Sequence, residues 1–244
     1  MTEILIILFA ALIHGALGLG FPITATPLLA WQGSLMRAIQ LTLIPTIAIN
    51  TLTIAQQPSP WQAFRPFLSI LPAIVIGTIT GSLFIIYFNP DIFRVLMALV
   101  IIAFLWLDRK KQLEHTNPGI HTRGVFLTGL ATGFLVGTVN AGVPALIIFV
   151  LYNRLSREQG IVLFNSCFMT GKFTQLALFG GLGILDAEWQ KMGFMLLFVA
   201  VIGVLIGLWL GKYLDQARWR AAMRWILLLI AVSLIYRVFS TLMQ

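Results

Sequence analysis

"GLGFPITATPLL", residues 18–29, lies in a stretch with no Asp, Glu, Lys or Arg between Glu3 and Arg37. A helix in lipid must satisfy its own backbone hydrogen bonds, because no water is there to do so. Yet this segment carries Gly15, Gly18 and Gly20, followed by Pro22 and Pro27. Glycine weakens a helix interior, and proline removes a backbone donor. The segment therefore reads as built to stop and restart. Its length agrees: residues 4–31 are too many for one comfortable span at about 1.5 Å per residue across about 30 Å, and too few for two. The expectation is a re-entrant hairpin with its tip at Gly20–Pro22; an over-long kinked helix is the alternative.

The rest of the chain supplies the setting. Of its 244 residues, 59% are hydrophobic and 10% charged, with a mean hydropathy of +0.95. Soluble domains carry about 25% charged residues. Apolar runs recur along the whole length, where a membrane barrel would show short alternating strands. This is an all-α polytopic membrane protein with room for roughly six to eight spans and no soluble catalytic domain. The net charge of +8 sits in short loops, so it sets topology rather than binding nucleic acid. A single cysteine, Cys167, excludes an internal disulfide and a cysteine metal cluster. The start, "MTEILIILFAALIHG", lacks a basic leader region and is read as mature structure.

The chain repeats itself. Laying "ALGLGFPITATPLL" (16–29) beside "GTVNAGVPALIIFV" (137–150) places Gly20-Phe21-Pro22 over Gly142-Val143-Pro144. The same offset sets Gly15 over Gly137, Ser34 over Ser156 and Asn50 over Lys172. After small gaps, Trp61-Gln62 matches Trp189-Gln190, Gly77 and Gly81 match Gly203 and Gly207, and "FRVLM" (93–97) matches "WRAAM" (219–223). The preserved order argues for a duplication: a first repeat 1–108, a polar linker 109–123, and a second repeat 124–244.

Charge decides how each repeat crosses the membrane. With four full spans per half, one face collects Arg65, Arg109, Lys110, Lys111, Arg123, Lys191 and Arg237, against eight basic residues on the other. With a re-entrant hairpin opening each half, one face collects Arg65, Arg109, Lys110, Lys111, Arg123, Arg154, Arg157, Lys212, Arg218, Arg220 and Arg224. The other then keeps only Arg37, Arg94, Lys191 and Arg237. Eleven against four satisfies the positive-inside rule, and seven against eight does not. The expected plan is two inverted repeats, each a re-entrant helical hairpin plus three transmembrane helices. The hairpins are 4–33 and 124–153; the spans are 36–56, 67–88 and 91–108, then 157–180, 191–213 and 219–240. The basic linker is then cytoplasmic and both termini lie outside.

Broken helices at membrane depth survive where they are buried or line a polar cavity, and paired broken helices in inverted repeats are a plan of secondary transporters. Gly20 and Gly142 permit tight turns, and Pro22 and Pro144 suit the first position of the arm that follows. The free N–H groups of those arms would attract an anion, with Thr24, Thr26 and Asn140 as neutral partners. In the next helix Thr42, Thr46, Asn50, Thr53 and Gln57 form a polar stripe; its counterpart carries Asn165, Lys172 and Gln175. Lys172 lies mid-run, far from either interface, so snorkelling explains it poorly and a cavity role explains it better. The substrate-binding candidates are thus Gly20, Pro22, Thr24, Asn50, Asn140, Gly142, Pro144, Lys172 and Gln175. His14, close to the first tip, is a candidate for proton coupling, although a hydrogen-bonded structural histidine reads equally well. All eight acidic residues fall at expected ends or loops, which argues against a cation or a carboxylate-driven carrier. Cys167 reads as packing, the glycines at 77, 81, 203, 207 and 211 as close helix contacts, and Trp61, Trp106, Trp189 and Trp219 as interface anchors.

The duplicated "GALGLGFPITATPLL" and "GFLVGTVNAGVPALIIFVLY" resemble the opening segments of the TauE/SafE family of sulfite exporters and organosulfonate permeases. The resemblance covers essentially the whole chain, and the paired Gly-x-Pro tips are its most specific part; Phe21 stands where many members carry a further glycine. It implies a bacterial or archaeal inner-membrane transporter of a small sulfur-containing anion such as sulfite, sulfoacetate or a related sulfonate. The residues alone point to an anion and would not have selected sulfur.

The expected function is therefore a secondary transporter working by alternating access around a midplane site between the repeats. A channel-like facilitator for small anions or neutral solutes is the alternative. No enzyme is expected: the chain offers no paired carboxylates, no His-rich metal set and no Ser/His pair at convincing spacing. No cofactor or metal is called for. The expected partners are the small anion and the lipid bilayer, with a homodimer open to such a chain and no nucleic acid.

Overall fold

The computed structural model describes residues 1–32, 34–87 and 121–213, with scattered positions from 215 to 232. The expected span 91–108, most of the linker 109–123 and most of 219–240 lie outside the described residues, as do Trp106 and Trp219. Among the described residues all regular structure is helical. In chain order the helices are α1 (Thr2–Leu17), α2 (Phe21–Gln32), α3 (Leu35–Ala55) and α4 (Pro60–Phe64), which passes into a 3₁₀ turn, Arg65–Phe67. Then come α5 (Ile70–Tyr87), α6 (Thr122–Val139), α7 (Val143–Tyr152), α8 (Arg157–Gly181) and α9 (Ala187–Gly211).

Four of these, α3, α5, α6 and α9, are long and apolar enough to cross a membrane. On α9 the side chains of Phe194, Phe198, Ile202 and Ile206 recur every fourth residue and are all exposed. Such a stripe would be a liability in water and is at home against lipid. The polar residues of α8 behave oppositely: Asn165, Lys172 and Gln175 are all buried.

Local chemistry explains where the helices stop. α1 ends at Gly18, whose φ of 76° is left-handed, and Gly20 follows at φ 116°. Only glycine enters such backbone without strain. α6 ends at Asn140, also left-handed at φ 57°. The offset that sets Gly20 over Gly142 sets Gly18 over Asn140, so equivalent positions turn the chain. Gly142 itself has an ordinary φ of −72°. It is small for a different reason, because a Cβ there would stand 2.8 Å from the Thr132 carbonyl oxygen. The expected turn glycine of the second tip is thus an asparagine, which tolerates the left-handed region through its short polar side chain. Pro22 and Pro144 are each the second helical residue rather than the first, still among the positions whose N–H has no intrahelical acceptor. The next helices begin on matched caps: Ser34 Oγ accepts from Arg37 N at 3.1 Å, and Ser156 Oγ from Gln159 N at 3.1 Å.

Packing joins one half to the other. Helix α1 lies along α9, with Leu8 and Ala11 against Gly203, Leu12 against Gly207 and Ala16 against Gly211. Helix α5 lies along α6 in the same manner, with Ile70 against Gly129, Ile74 against Gly133 and Thr78 against Gly137. Residue numbers rise together in both pairs, so each pair runs in one direction. Helix α3 meets α8 and α9, and α8 also meets α5. One buried apolar cluster gathers side chains of α4 to α8, and a second gathers α1, α2, α3 and α9. The buried polar residues His14 of α1, Asn50 of α3 and Asn165 of α8 lie at the seam between them.

Candidate functional site

A small enclosed cavity of about 10 Å³ lies where the two helix breaks approach each other. His14, Leu19, Gly20 and Pro22 line it from the first break and Val143 from the second, with Asn50, Phe164, Asn165 and Phe168 completing the wall.

Helix α3 presents Asn50 to this space. Its stripe neighbours turn back on their own helix: Thr42 Oγ1 donates to the Ala38 and Ile39 carbonyls, Thr46 to Thr42, Thr53 to Ile49, and Gln57 Nε2 to Thr53. Such back-bonding satisfies a hydroxyl without outside help. Asn50 does not do this. Its amide is 1% exposed, and among the described residues neither Oδ1 nor Nδ2 has a protein partner. A buried polar group left in that state costs about 1–3 kcal/mol, so it is rarely retained without a role.

Each break is held by the other half. His14 Nε2 lies 3.0 Å from Asn165 Oδ1, while its Nδ1 accepts from the Phe21 backbone N–H at 3.3 Å. Asn165 Nδ2 donates to the carbonyls of Gly18, at 2.7 Å, and Ile161, at 2.6 Å. The second break is tied in return to the first half: Asn140 Nδ2 donates to Thr26 Oγ1 at 2.6 Å and Thr42 Oγ1 at 3.1 Å.

A larger open cleft of about 350 Å³ approaches the back of the first break, lined among others by Gly18, Thr53, Gln57, Arg157 and Lys212. Thr53 follows Asn50 by one turn of α3, and Ile161 precedes Asn165 by one turn of α8. The cleft and the enclosed cavity are therefore separated by about one helical turn and the Gly18–Leu19 segment.

The model of the sulfite exporter TauE/SafE family matches residues 4–234. The chain belongs to the TauE/SafE family. No curated protein and no solved structure matches it. Membership makes this a multi-pass membrane transporter of the sulfite exporter type.

In this TauE/SafE chain the candidate residues separate into groups. His14, Gly20, Pro22 and Asn50 line the enclosed cavity. Asn140, Gly142 and Pro144 build the second break, fully or almost fully buried, without lining it. Thr24 is half-buried and stands apart from the cavity wall. Lys172 and Gln175 form a pair of their own: Lys172 Nζ donates to Gln175 Oε1 at 2.7 Å, and Gln175 Nε2 donates to the Val136 carbonyl at 3.3 Å. Lys172 is fully buried, on the same face of α8 as Asn165 but seven residues further along. That is about 10 Å at 1.5 Å per residue, so the pair shares a face and not a depth.

Sequence reasoning placed Asn165 on a polar face without finding its role as the clamp of the first break. Leu19, Phe164 and Phe168 went unnoticed, since an apolar wall residue has no signature within an apolar run. Trp189 corrects an expectation: it is not an interface anchor but 5% exposed, packed with Ile39, Leu43 and Phe179, and its Nε1 donates to the Gln40 carbonyl at 2.7 Å. Trp61 is 63% exposed, as an anchor would be. Cys167 is fully buried packing.

Proposed function

We propose that this protein is a secondary carrier that moves a small sulfur-containing anion (sulfite, sulfoacetate or a related sulfonate) across the inner membrane by alternating access around the Asn50 cavity. Asn50 carries the reading. A carrier needs unspent polar groups at depth, and Asn50 offers a donor and an acceptor in a space bounded by both helix breaks. A cavity of about 10 Å³ is near the minimum that holds one water, so an oxyanion fits only when the breaks move apart. Such a closed arrangement suits a carrier between its two open forms better than a continuous pore. Gly20, Pro22 and Asn50 would meet the anion directly. Thr24, Asn140, Gly142 and Pro144 would join as the breaks separate, and Lys172 and Gln175, about 10 Å further along the same face of α8, would meet the anion on its path away from the cavity.

The helix directions support the inverted repeat. Arg37, at the start of α3, meets Glu188, at the start of α9, at 3.0 Å, so α1, α3 and α9 run one way. Helix α5 returns after the short α4 segment, and α6 lies along it in the same direction. The two broken segments therefore enter from opposite faces, and each returns to its own side. In this reading the basic linker is cytoplasmic and both termini lie outside.

The test is flux in proteoliposomes with sulfite, sulfoacetate, sulfate, acetate and chloride, comparing wild type with Asn50→Leu and Lys172→Gln. Saturable transport of a sulfur anion, reduced at least about tenfold in Asn50→Leu, supports the carrier and its site. Flux that never saturates turns the reading toward a channel. Absence of flux for every anion overturns it.

A further inference from the structure

The hydrogen bonds around His14 fix its protonation state. Asn165 Nδ2 donates to two carbonyls, Gly18 and Ile161, so Asn165 Oδ1 is the atom that faces the ring. An amide oxygen only accepts; His14 Nε2 must therefore carry the proton and donate to it. On the other side the Phe21 N–H points at Nδ1, and a backbone amide only donates. Nδ1 must be a bare acceptor. The closed first break thus requires the neutral Nε2–H imidazole, and an imidazolium has no acceptor to offer Phe21.

We propose that His14 takes up one proton with each anion, making the carrier an anion–proton symporter; this deepens the transport reading given above and rests on it. The proton comes from water and binds Nδ1. Nε2–H stays with Asn165 Oδ1, and no other bond is made or broken. The Phe21 N–H loses its acceptor and becomes a free donor at the start of α2. Nδ1–H becomes a second donor, now charged, on the cavity wall. An anion oxygen that accepts from both takes the place that Nδ1 held for Phe21. Charge balance favours the pair arriving together, because a lone anion or a lone imidazolium is costly to bury while the two offset each other. The same event loosens the first break, whose closed form depends on the bond that protonation removes.

Among the described residues no other ionised group stands at the ring to take this part. Among the described residues packed around it, α2 contributes Phe21 and Pro22, α3 Asn50, α7 Val143, and α9 Gly207 and Leu208 beside Gly15. On α8 the neighbours are Asn165, Phe164 and Phe168, with Cys167 buried in the apolar cluster. Lys172 is two turns away and bonded to Gln175, while Arg157 and Glu158 lie two turns the other way on the open cleft.

The experiment uses the full-length protein in proteoliposomes carrying an internal pH dye, with sulfoacetate as substrate between about pH 6.5 and 8, where both its sulfonate and its carboxylate stay ionised while an ordinary histidine still titrates. Any proton that moves is then carried by the protein. Wild type should acidify the lumen as sulfoacetate enters, and uptake should rise as pH falls. In His14→Gln, whatever sulfoacetate flux remains should carry no proton and show a flat pH profile. Sulfoacetate uptake without proton movement in wild type, or coupling unchanged in His14→Gln, overturns the proposal. A second readout does not depend on transport: nitrogen NMR of labelled histidine, with His121 and His115 replaced by Gln. At fixed pH, added sulfoacetate should convert the neutral Nε2–H signal to imidazolium. If the ring stays neutral the proton role fails, even if the anion is carried; if nothing is transported but the ring converts, coupled binding stands and the carrier reading falls.

Discussion

Gly15 of α1 and Gly207 of α9 meet backbone to backbone: a Cβ added to either would stand 2.8 Å from the Cα of the other. Gly137 of α6 and Gly81 of α5 meet in the same way, a Cβ on Gly81 standing 3.1 Å from the Gly137 Cα. The offset that aligns the repeats takes Gly15 to Gly137, and the later match takes Gly207 to Gly81. One contact type therefore recurs at two seams, and at both it joins the first arm of a broken segment to a long helix of the other half.

Close contact of this kind fixes the outcome of small substitutions. Gly15→Ala and Gly137→Ala each drive a methyl into backbone that cannot swing away, as a flexible side chain could. Each should lower stability by about 1–3 kcal/mol. Gly180→Ala is the control, since nothing lies within 4 Å of a Cβ there. Thermal unfolding in detergent should leave Gly180→Ala no less stable than wild type, and up to about 1 kcal/mol more stable through helix propensity. Equal effects at all three positions would remove the contact argument.

Asn140 separates backbone strain from side-chain bonding. Asn140→Gly keeps the left-handed turn and loses the bonds to Thr26 and Thr42. Asn140→Ala loses the same bonds and adds the left-handed penalty of about 1–2 kcal/mol. Alanine should therefore be the less stable of the two by roughly that amount, measured by denaturant or thermal unfolding. If the two are equal, the turn is not what holds this residue's conformation.

How much of this was legible in the sequence depends on the kind of information. The breaks were, because glycine and proline act locally; Ser34 and Ser156 stood aligned between the repeats, while their role as caps came only with the backbone geometry. The turn residue of the second tip was misplaced by two positions, because Asn140 does a glycine's work and Gly142 answers a space demand from Thr132 that only packing reveals. Helical periodicity put Asn165, Lys172 and Gln175 on one face and could not say that they serve different depths. The clamp between His14 and Asn165 spans 151 residues of chain and leaves no local trace at all.

The proposed topology has its own test. Single cysteines at Ser34 and Arg154, in a Cys167→Ser background, should react with a membrane-impermeant thiol reagent from opposite faces. Ser34 follows the first broken segment and Arg154 the second. If both segments were full kinked spans, the two sites would share a face. Labelling of both from one side would therefore sink the re-entrant reading, whatever the flux assays show.

Asn50 sets stability against function. Both polar atoms of its amide are buried with no protein partner among the described residues, so wild type carries a desolvation cost that no protein hydrogen bond offsets. Asn50→Leu removes that cost and fills similar volume, and should raise stability by about 1–3 kcal/mol. A purely structural asparagine would behave oppositely, since its loss would break bonds that hold the fold. The same substitution removes the donor and the acceptor proposed for the anion, so flux should fall as the melting temperature rises. Measuring both on one preparation makes the result decisive. A variant that is less stable and inactive shows only that Asn50 supports the fold, whereas one that is more stable and inactive marks a residue kept for transport at the expense of stability.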